Sequence, residues 1–280
     1  MLGEKIMELT NKNGIPESVY HWLKMFNEHN EAARAESIAE FEKQHGKKVD
    51  LRISVTSLIK SPREVVLLDR HRDEVEREAS DIYDAIIGTA VHDSFDKMPL
   101  RENEEREVRL GQEIVGVLVH GQFDNVFNGE LSDYKTMKVG GYIFGDREYE
   151  FTAQLSSYRL LYFLEKAVML NDVGKIIMLF TDWRDREYAT KKYGWGDAPN
   201  YPQRSMELKL NLWDREKTER WIIRKVTDYK IATMLPDNEL PLCKDEERWM
   251  RVTKKTGKKT YNKCAKYCSA APFCNQHLGG

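Results

Sequence analysis

Apolar residues keep a helical period at both ends of this chain and switch to strand period in the middle. Residues 16–46, "PESVYHWLKMFNEHNEAARAESIAEFEKQHG", mix apolar spacing with abundant charge, and Pro16 suits a first-turn position, so a helix is predicted there. "LRISVTSLI" (51–59) leads into a second helix begun at Pro62. A third is expected over 82–98, "IYDAIIGTAVHDSFDKM", with His92 in its middle. Residues 106–137 then read as successive short strands. Asn128-Gly129, flanked by alternating apolar residues, predicts a hairpin with a two-residue type I′ loop. A helix follows over 151–170 with Thr152 as N-cap, then strands over 175–183 and 205–213 and a long helix over 214–234. Pro236 and Pro241 mark the approach to a cysteine-bearing tail. This order predicts an α/β fold with a mixed central sheet flanked by helices. The expected organisation is a helical N-terminal region (1–50), a core (51–234) and a cysteine-rich tail (235–280) packed on it.

Composition narrows the class. The 280 residues are 41% hydrophobic and 32% charged, which fits a folded chain with a polar surface. Formal net charge is -2, so the whole chain carries no electrostatic preference for nucleic acid and any basic surface must be local. A run of about 18 apolar residues is absent, and the start lacks the apolar stretch of a signal peptide, so no membrane span and a cytoplasmic location are expected.

The hairpin carries the first chemistry. With Asn128-Gly129 in the loop, Phe127 faces Glu130, Val126 faces Leu131, Asn125 faces Ser132 and Asp124 faces Asp133. Opposed Cβ atoms lie roughly 5 Å apart, and like charges there destabilise a strand pair. Side chains alternate, so Asp133 and Lys135 share a face, and Asp124 joins them in this register. A divalent cation resolves the clash: Mg²⁺ takes oxygen ligands and is often held by one or two carboxylates plus waters and substrate phosphate. The backbone carbonyl of Tyr134 is a further candidate ligand. Lys135 then orients a nucleophile or stabilises charge on a reacting phosphate. Asp-Tyr-Lys by itself also fits a solvated hairpin face.

Other residues add to this pattern. Gly88 and His92 share a helix face at i,i+4, and neutral imidazole ligates metals. Gln154 and Tyr158 form a second i,i+4 pair on the helix after the hairpin. All four cysteines, Cys243, Cys264, Cys268 and Cys274, lie in the last 38 residues, a clustering that suggests metal binding more than disulfides in a cytosolic chain. Between Cys243 and Cys264, "RWMRVTKKTGKKTYNK" combines basic residues with Trp249 and Tyr261; "WRDREYATKKYGWGDAPNYPQR" (183–204) has a similar mixture. Phosphate contact plus base stacking on single strands is one use of such stretches, and a solvated loop is the other.

Taken in order, "GTAVH" on a helix, "GQFD", "SDYKT" and "QLSSY" on a helix resemble the RecB-like branch of the PD-(D/E)XK nuclease superfamily. That branch includes phage RecB-type exonucleases and the CRISPR-associated four-cysteine nucleases. Residues 51–165 carry the resemblance. It implies a restriction-endonuclease-like core that hydrolyses DNA phosphodiester bonds with Mg²⁺ or Mn²⁺. It implies His92, Asp124 and Asp133 as metal ligands, Lys135 as the catalytic lysine, and Gln154 and Tyr158 as the downstream motif touching the active site or DNA. The implied role is an exonuclease in recombination, repair or replication, in host cytoplasm if phage-encoded. Single-stranded DNA or DNA ends, a recombinase or single-strand-binding protein, and further copies of the chain are the implied partners. The alternative is a DNA-binding or assembly subunit that keeps the fold without catalysis; a third reading is a metal-stabilised interaction protein with an acidic surface hairpin.

The tail departs from the family's pattern. Relatives with an iron–sulfur cluster place one cysteine upstream, before Pro-Arg; here Ser61 precedes Pro62-Arg63, and Cys243 joins the final three instead. Gaps of twenty, three and five residues separate the four cysteines and fit no standard zinc finger. The resemblance implies a [4Fe–4S] cluster at Cys243, Cys264, Cys268 and Cys274, with structural Zn²⁺ as the alternative.

Overall fold

The computed structural model describes residues 9–45, 50–145, 147–253 and 256–278. The chain runs β1 (Leu9–Thr10), α1 (Glu17–His45), β2 (Arg52–Ser54), α2 (Val55–Leu58), α3 (Pro62–Arg70), β3 (Arg77–Glu78), α4 (Tyr83–Asp96), β4 (Glu104–Ile114), β5 (Val117–Phe127) and β6 (Glu130–Met137). It continues with α5 (Val139–Phe144), α6 (Glu148–Lys166), β7 (Val173–Phe180), α7 (Arg186–Tyr193), β8 (Ser205–Asn211), α8 (Arg215–Thr233), β9 (Met250–Val252), β10 (Lys259–Tyr261), α9 (Asn262–Lys266) and α10 (Asn275–Leu278). Two compact units interleave along it. One takes the residues up to Ile82, Glu113–Val119 and the residues from Ile222 on; the other takes Tyr83–Gln112 and His120–Trp221. The N-terminal helix and the cysteine tail therefore share a unit.

The second unit holds most of a mixed sheet. β4 pairs with β5, β5 runs antiparallel to β6, β6 parallel to β7, and β7 antiparallel to β8. Alternation along β6 assigns Asp133 and Lys135 to one face and Tyr134 and Thr136 to the other. Gln154 of α6 bonds Asp133 on the first face. On the second, Phe95 of α4 stacks on Tyr134 at 4.3 Å, and a Cβ on Gly88 would sit 3.3 Å from Thr136 Oγ1. The two helices thus flank the sheet from opposite sides. Phe123, Leu131, Leu155, Leu161, Ile176, Met178 and Leu210 form a buried apolar layer of this unit, each at no more than 2% exposure. At about 1.5–3 kcal/mol per fully buried large apolar side chain, this layer is the main stabilising term of the unit. Gly174 lets the layers close: a Cβ there would meet Leu155 Cδ1 at 3.0 Å and the Leu131 carbonyl at 3.3 Å.

Some elements differ from expectation for identifiable reasons. α6 begins at Glu148, so Thr152 is a buried interior residue and not the N-cap. Glu148 and Glu150 in the first turn offset the helix dipole there, and Ala167 closes the helix in a left-handed conformation with φ 57°. The stretch 183–204 is not all loop. Asp185 accepts the Tyr188 N–H at 2.8 Å and starts α7, and Gly194, at φ 71°, ends it.

In the first unit, Ser61 caps α3 by accepting the Glu64 N–H at 3.2 Å, and Pro62 opens the helix. The far end of α3 meets the tail. Arg70 pairs with Asp237 at 2.6 Å, and His71, placed between Glu74 and Asp237, stacks on Phe273 at 4.4 Å. β9 and β10 form a small antiparallel hairpin with Met250 opposite Tyr261. Among the described residues no helix is long and apolar enough to cross a membrane.

Candidate active site

The Asn-Gly turn forms as its residues demand. Asn128 and Gly129 have φ of 50° and 77°, the positive pair of a type I′ loop. Phe127–Glu130, Val126–Leu131 and Asn125–Ser132 are the opposed pairs. The register stops there, one pair short of the expected Asp124–Asp133 partnership. Asp124 instead turns its carboxylate onto the neighbouring strand, where Oδ2 accepts the Tyr134 N–H at 2.6 Å. The backbone groups of one strand residue point to the same side, so the Tyr134 carbonyl also faces the Asp124 side.

His92 reaches the same carboxylate. Its Nδ1 lies 3.5 Å from Asp124 Oδ1 and 3.5 Å from Glu107 Oε1. Glu107 was not among the residues that the sequence singled out. It sits inside β4 with φ 49°, a left-handed conformation that non-glycine residues rarely adopt and that collects at functional sites. Gln122 donates to its other oxygen, fixing the carboxylate. One ligand atom each from His92, Glu107 and Asp124 lies within 4.8 Å of the others. Octahedral ligands about 2.1 Å from a Mg²⁺ ion stand roughly 3–4 Å apart, so this donor set fits such an ion with little adjustment.

Asp133 stands outside that trio. Lys135 Nζ forms an ion pair with its Oδ2 at 2.5 Å. Its Oδ1 accepts from Gln154 Nε2 at 3.0 Å, and the same amide reaches the Tyr158 hydroxyl at 3.5 Å. Gln154 and Tyr158 therefore meet the hairpin acids through Asp133. Tyr158 lies on the buried face of α6, and burial raises its hydroxyl well above the usual range, with the Asp133 charge adding.

Electrostatics single out Asp124. Burial pushes it up to about 7, with the Asp133 charge adding, while His92, the Tyr134 N–H and Lys135 pull the other way. The hydrogen bond with Glu107 raises His92, and the Asp124 and Asp133 charges add to it against partial burial. A carboxylate buried beside another carboxylate is what a bound cation relieves.

The four cysteines line one small pocket of the first unit, together with Arg63, Glu64 and His277. Among the described residues no three cysteine sulfurs lie within 4.8 Å of one another. A single Zn²⁺ with Zn–S of about 2.3 Å holds its sulfurs roughly 3.8 Å apart, so the thiols stand wider than one closed zinc site. Burial raises the Cys243 thiol, and burial with the Glu64 charge pushes Cys268 up to about 11. The Ser61 hydroxyl lies 3.0 Å from Cys243 Sγ.

The two aromatic and basic stretches differ in use. In 248–263, Arg248 lies 3.4 Å over the Tyr261 ring and Lys263 6.0 Å from the Trp249 ring, so both aromatics pair with cations of the tail itself. In the second unit, Phe144 stacks on Trp195 at 5.5 Å and Tyr193 meets Trp195 edge-on at 5.3 Å. Phe144 and Tyr193 remain more than half exposed.

Fold and site together define an α/β protein with a mixed central sheet flanked by helices and a His-Glu-Asp trio able to hold a metal. No family model matches the chain, and no curated protein matches it. Among solved structures, the crystal structure of SSO0001 is similar in fold: TM-score 0.51 and 20% identity, over 84% of this chain and 92% of that one.

Proposed function

We propose that this protein is a metal-dependent deoxyribonuclease with a RecB-like PD-(D/E)XK core, acting as an exonuclease on single-stranded DNA or DNA ends. The observation that carries the reading is the convergence of His92, Glu107 and Asp124 beside the Asp133–Lys135 pair. The three donors would hold Mg²⁺ or Mn²⁺, which supplies Lewis-acid polarisation of a phosphoryl oxygen and a more acidic water. His92 binds only as neutral imidazole, and Asp124 only as carboxylate, so both give up protons when the site is loaded. Gln154 holds Asp133 by one oxygen and leaves the other toward Lys135. The Lys135 ammonium, already poised by Asp133, stabilises negative charge as it develops on the scissile phosphate. The cysteine tail holds a structural metal centre, a [4Fe–4S] cluster in preference to zinc.

The test incubates the purified protein with end-labelled single- and double-stranded DNA, with and without Mg²⁺ or Mn²⁺, beside Asp133→Ala and Lys135→Ala. Metal-dependent degradation lost in both variants supports the reading. Degradation that survives both sinks the site assignment. DNA bound but left intact by the wild type would make the chain a binding subunit.

A further inference from the structure

Arg63 is 1% exposed, among the most deeply buried side chains of the protein. Its guanidinium spends Nη2 on the Leu240 carbonyl (2.6 Å), Nε on the Pro241 carbonyl (3.1 Å) and Nη1 on Asn275 Oδ1 (2.7 Å). Nη1 also lies 3.8 Å from Cys274 Sγ. Among the described residues no carboxylate pairs with it. Glu64, the acid lining the same pocket, pairs with Lys263 at 2.7 Å and Lys60 at 3.5 Å. A buried cation met only by neutral acceptors and a sulfur is costly unless an anion stands near. The pocket that contains it is lined by all four cysteines. Four thiolates around a divalent ion or an oxidised [4Fe–4S] core leave net negative charge, which is the missing partner.

We propose that Arg63 is the built-in counter-charge of an anionic, thiolate-held metal centre at Cys243, Cys264, Cys268 and Cys274. It is a positioning residue as well. Its fork joins the segment before Cys243, through Leu240 and Pro241, to the segment of Cys274 and Asn275. Gln276 completes that join by clamping the Cys243 backbone, accepting its N–H at 2.8 Å and donating to its carbonyl at 2.9 Å. The Ser61 hydroxyl lies 3.0 Å from the Cys243 sulfur, a contact of the kind that tunes a cluster's potential. The inference rests on the metal-centre reading above and is independent of nuclease activity.

The experiment compares the full chain with Arg63→Lys, Arg63→Gln and Arg63→Met, each purified anaerobically and reconstituted separately with iron and sulfide or with zinc. Metal per chain, the visible spectrum, the midpoint potential of any cluster and the rate of loss to a chelator are read; thermal unfolding of the metal-free chains confirms that each is folded. Arg63→Lys keeps the charge and is expected to keep its metal. Arg63→Gln and Arg63→Met are expected to lose it about tenfold to a hundredfold faster, with a lower potential for any cluster retained. Loss that is equal in the Lys and Gln variants would make the hydrogen bonds responsible and overturn the proposal. So would a Met variant that matches the wild type in content, spectrum and loss rate. A wild type that takes up neither metal overturns the metal-centre reading along with it, whereas a loaded wild type with an unchanged Met variant overturns the Arg63 proposal alone.

Discussion

Asp124→Asn should stabilise the metal-free protein while removing its metal binding. Asp124 is 9% exposed, and burial beside Asp133 raises its carboxyl from an ordinary 3.8 to about 7. Between those values the folded chain keeps a proton that the unfolded chain has released, so stability falls as pH rises from 3.8 to 7 and stays low above. At about 1.4 kcal/mol for each step of one in pKa, the full cost above pH 7 is on the order of 4 kcal/mol, and less than half of it is present at pH 5. Asparagine carries no charge, and its side-chain oxygen can still accept the Tyr134 N–H. Urea or thermal unfolding in EDTA at pH 5 and pH 8 gives the comparison. The variant should be the more stable at pH 8, by about 2–4 kcal/mol, and its advantage should shrink by about 2 kcal/mol or more at pH 5. Added Mn²⁺ should stabilise the wild type and leave the variant unchanged. An advantage independent of pH, or a variant less stable than wild type at pH 8 in EDTA, refutes the reasoning.

Three further outcomes follow from the geometry. In metal-free protein the His92 imidazole should titrate above its ordinary 6.5 by NMR, and Glu107→Gln should lower the midpoint, since the Glu107 hydrogen bond is the largest cause of the rise; an unmoved midpoint would mean that the two do not interact in solution. Gly174→Ala should cost about 1–3 kcal/mol in chemical unfolding, because the new methyl meets Leu155 Cδ1 at 3.0 Å and a backbone carbonyl at 3.3 Å, and a neutral result would show that α6 shifts freely. Replacing Phe144 and Tyr193 together by Ala should weaken oligo(dT) binding in fluorescence anisotropy by about 1–3 kcal/mol per stacking partner lost, whereas unchanged affinity would make the cluster a packing feature.

What could be read in the sequence was what local chemistry decides. Asn128-Gly129 announces its turn because few residue pairs accept two positive φ values, and counting back from it finds the Asn125–Ser132 pairing. The end of that pairing at the acids was not legible, because Asp124 prefers the Tyr134 N–H to a ladder position. Glu107 carried no signal at all. It is one of four glutamates in "RENEEREVRL", and only the left-handed kink in β4 turns it toward His92. Asp185 and Gly194 were fair cap signals for α7, obscured by the aromatic and basic residues between and around them. The start of α6 was misplaced for a similar reason: Thr152 has the chemistry of a cap, yet the acids of the first turn, Glu148 and Glu150, lie four and two residues earlier. For the cysteines, clustering was visible, but the burial of Arg63 among them was not.

The dependence of DNA cleavage on Mn²⁺ concentration, in wild type and Glu107→Gln, bears most directly on the whole account. Degradation of end-labelled single-stranded DNA should require the ion and saturate with it in the wild type. In Glu107→Gln the half-saturating concentration should rise about tenfold or more, as expected for loss of one of three protein ligands. Cleavage that persists in EDTA, or a Glu107→Gln curve that overlies the wild type, would contradict a metal site built from His92, Glu107 and Asp124.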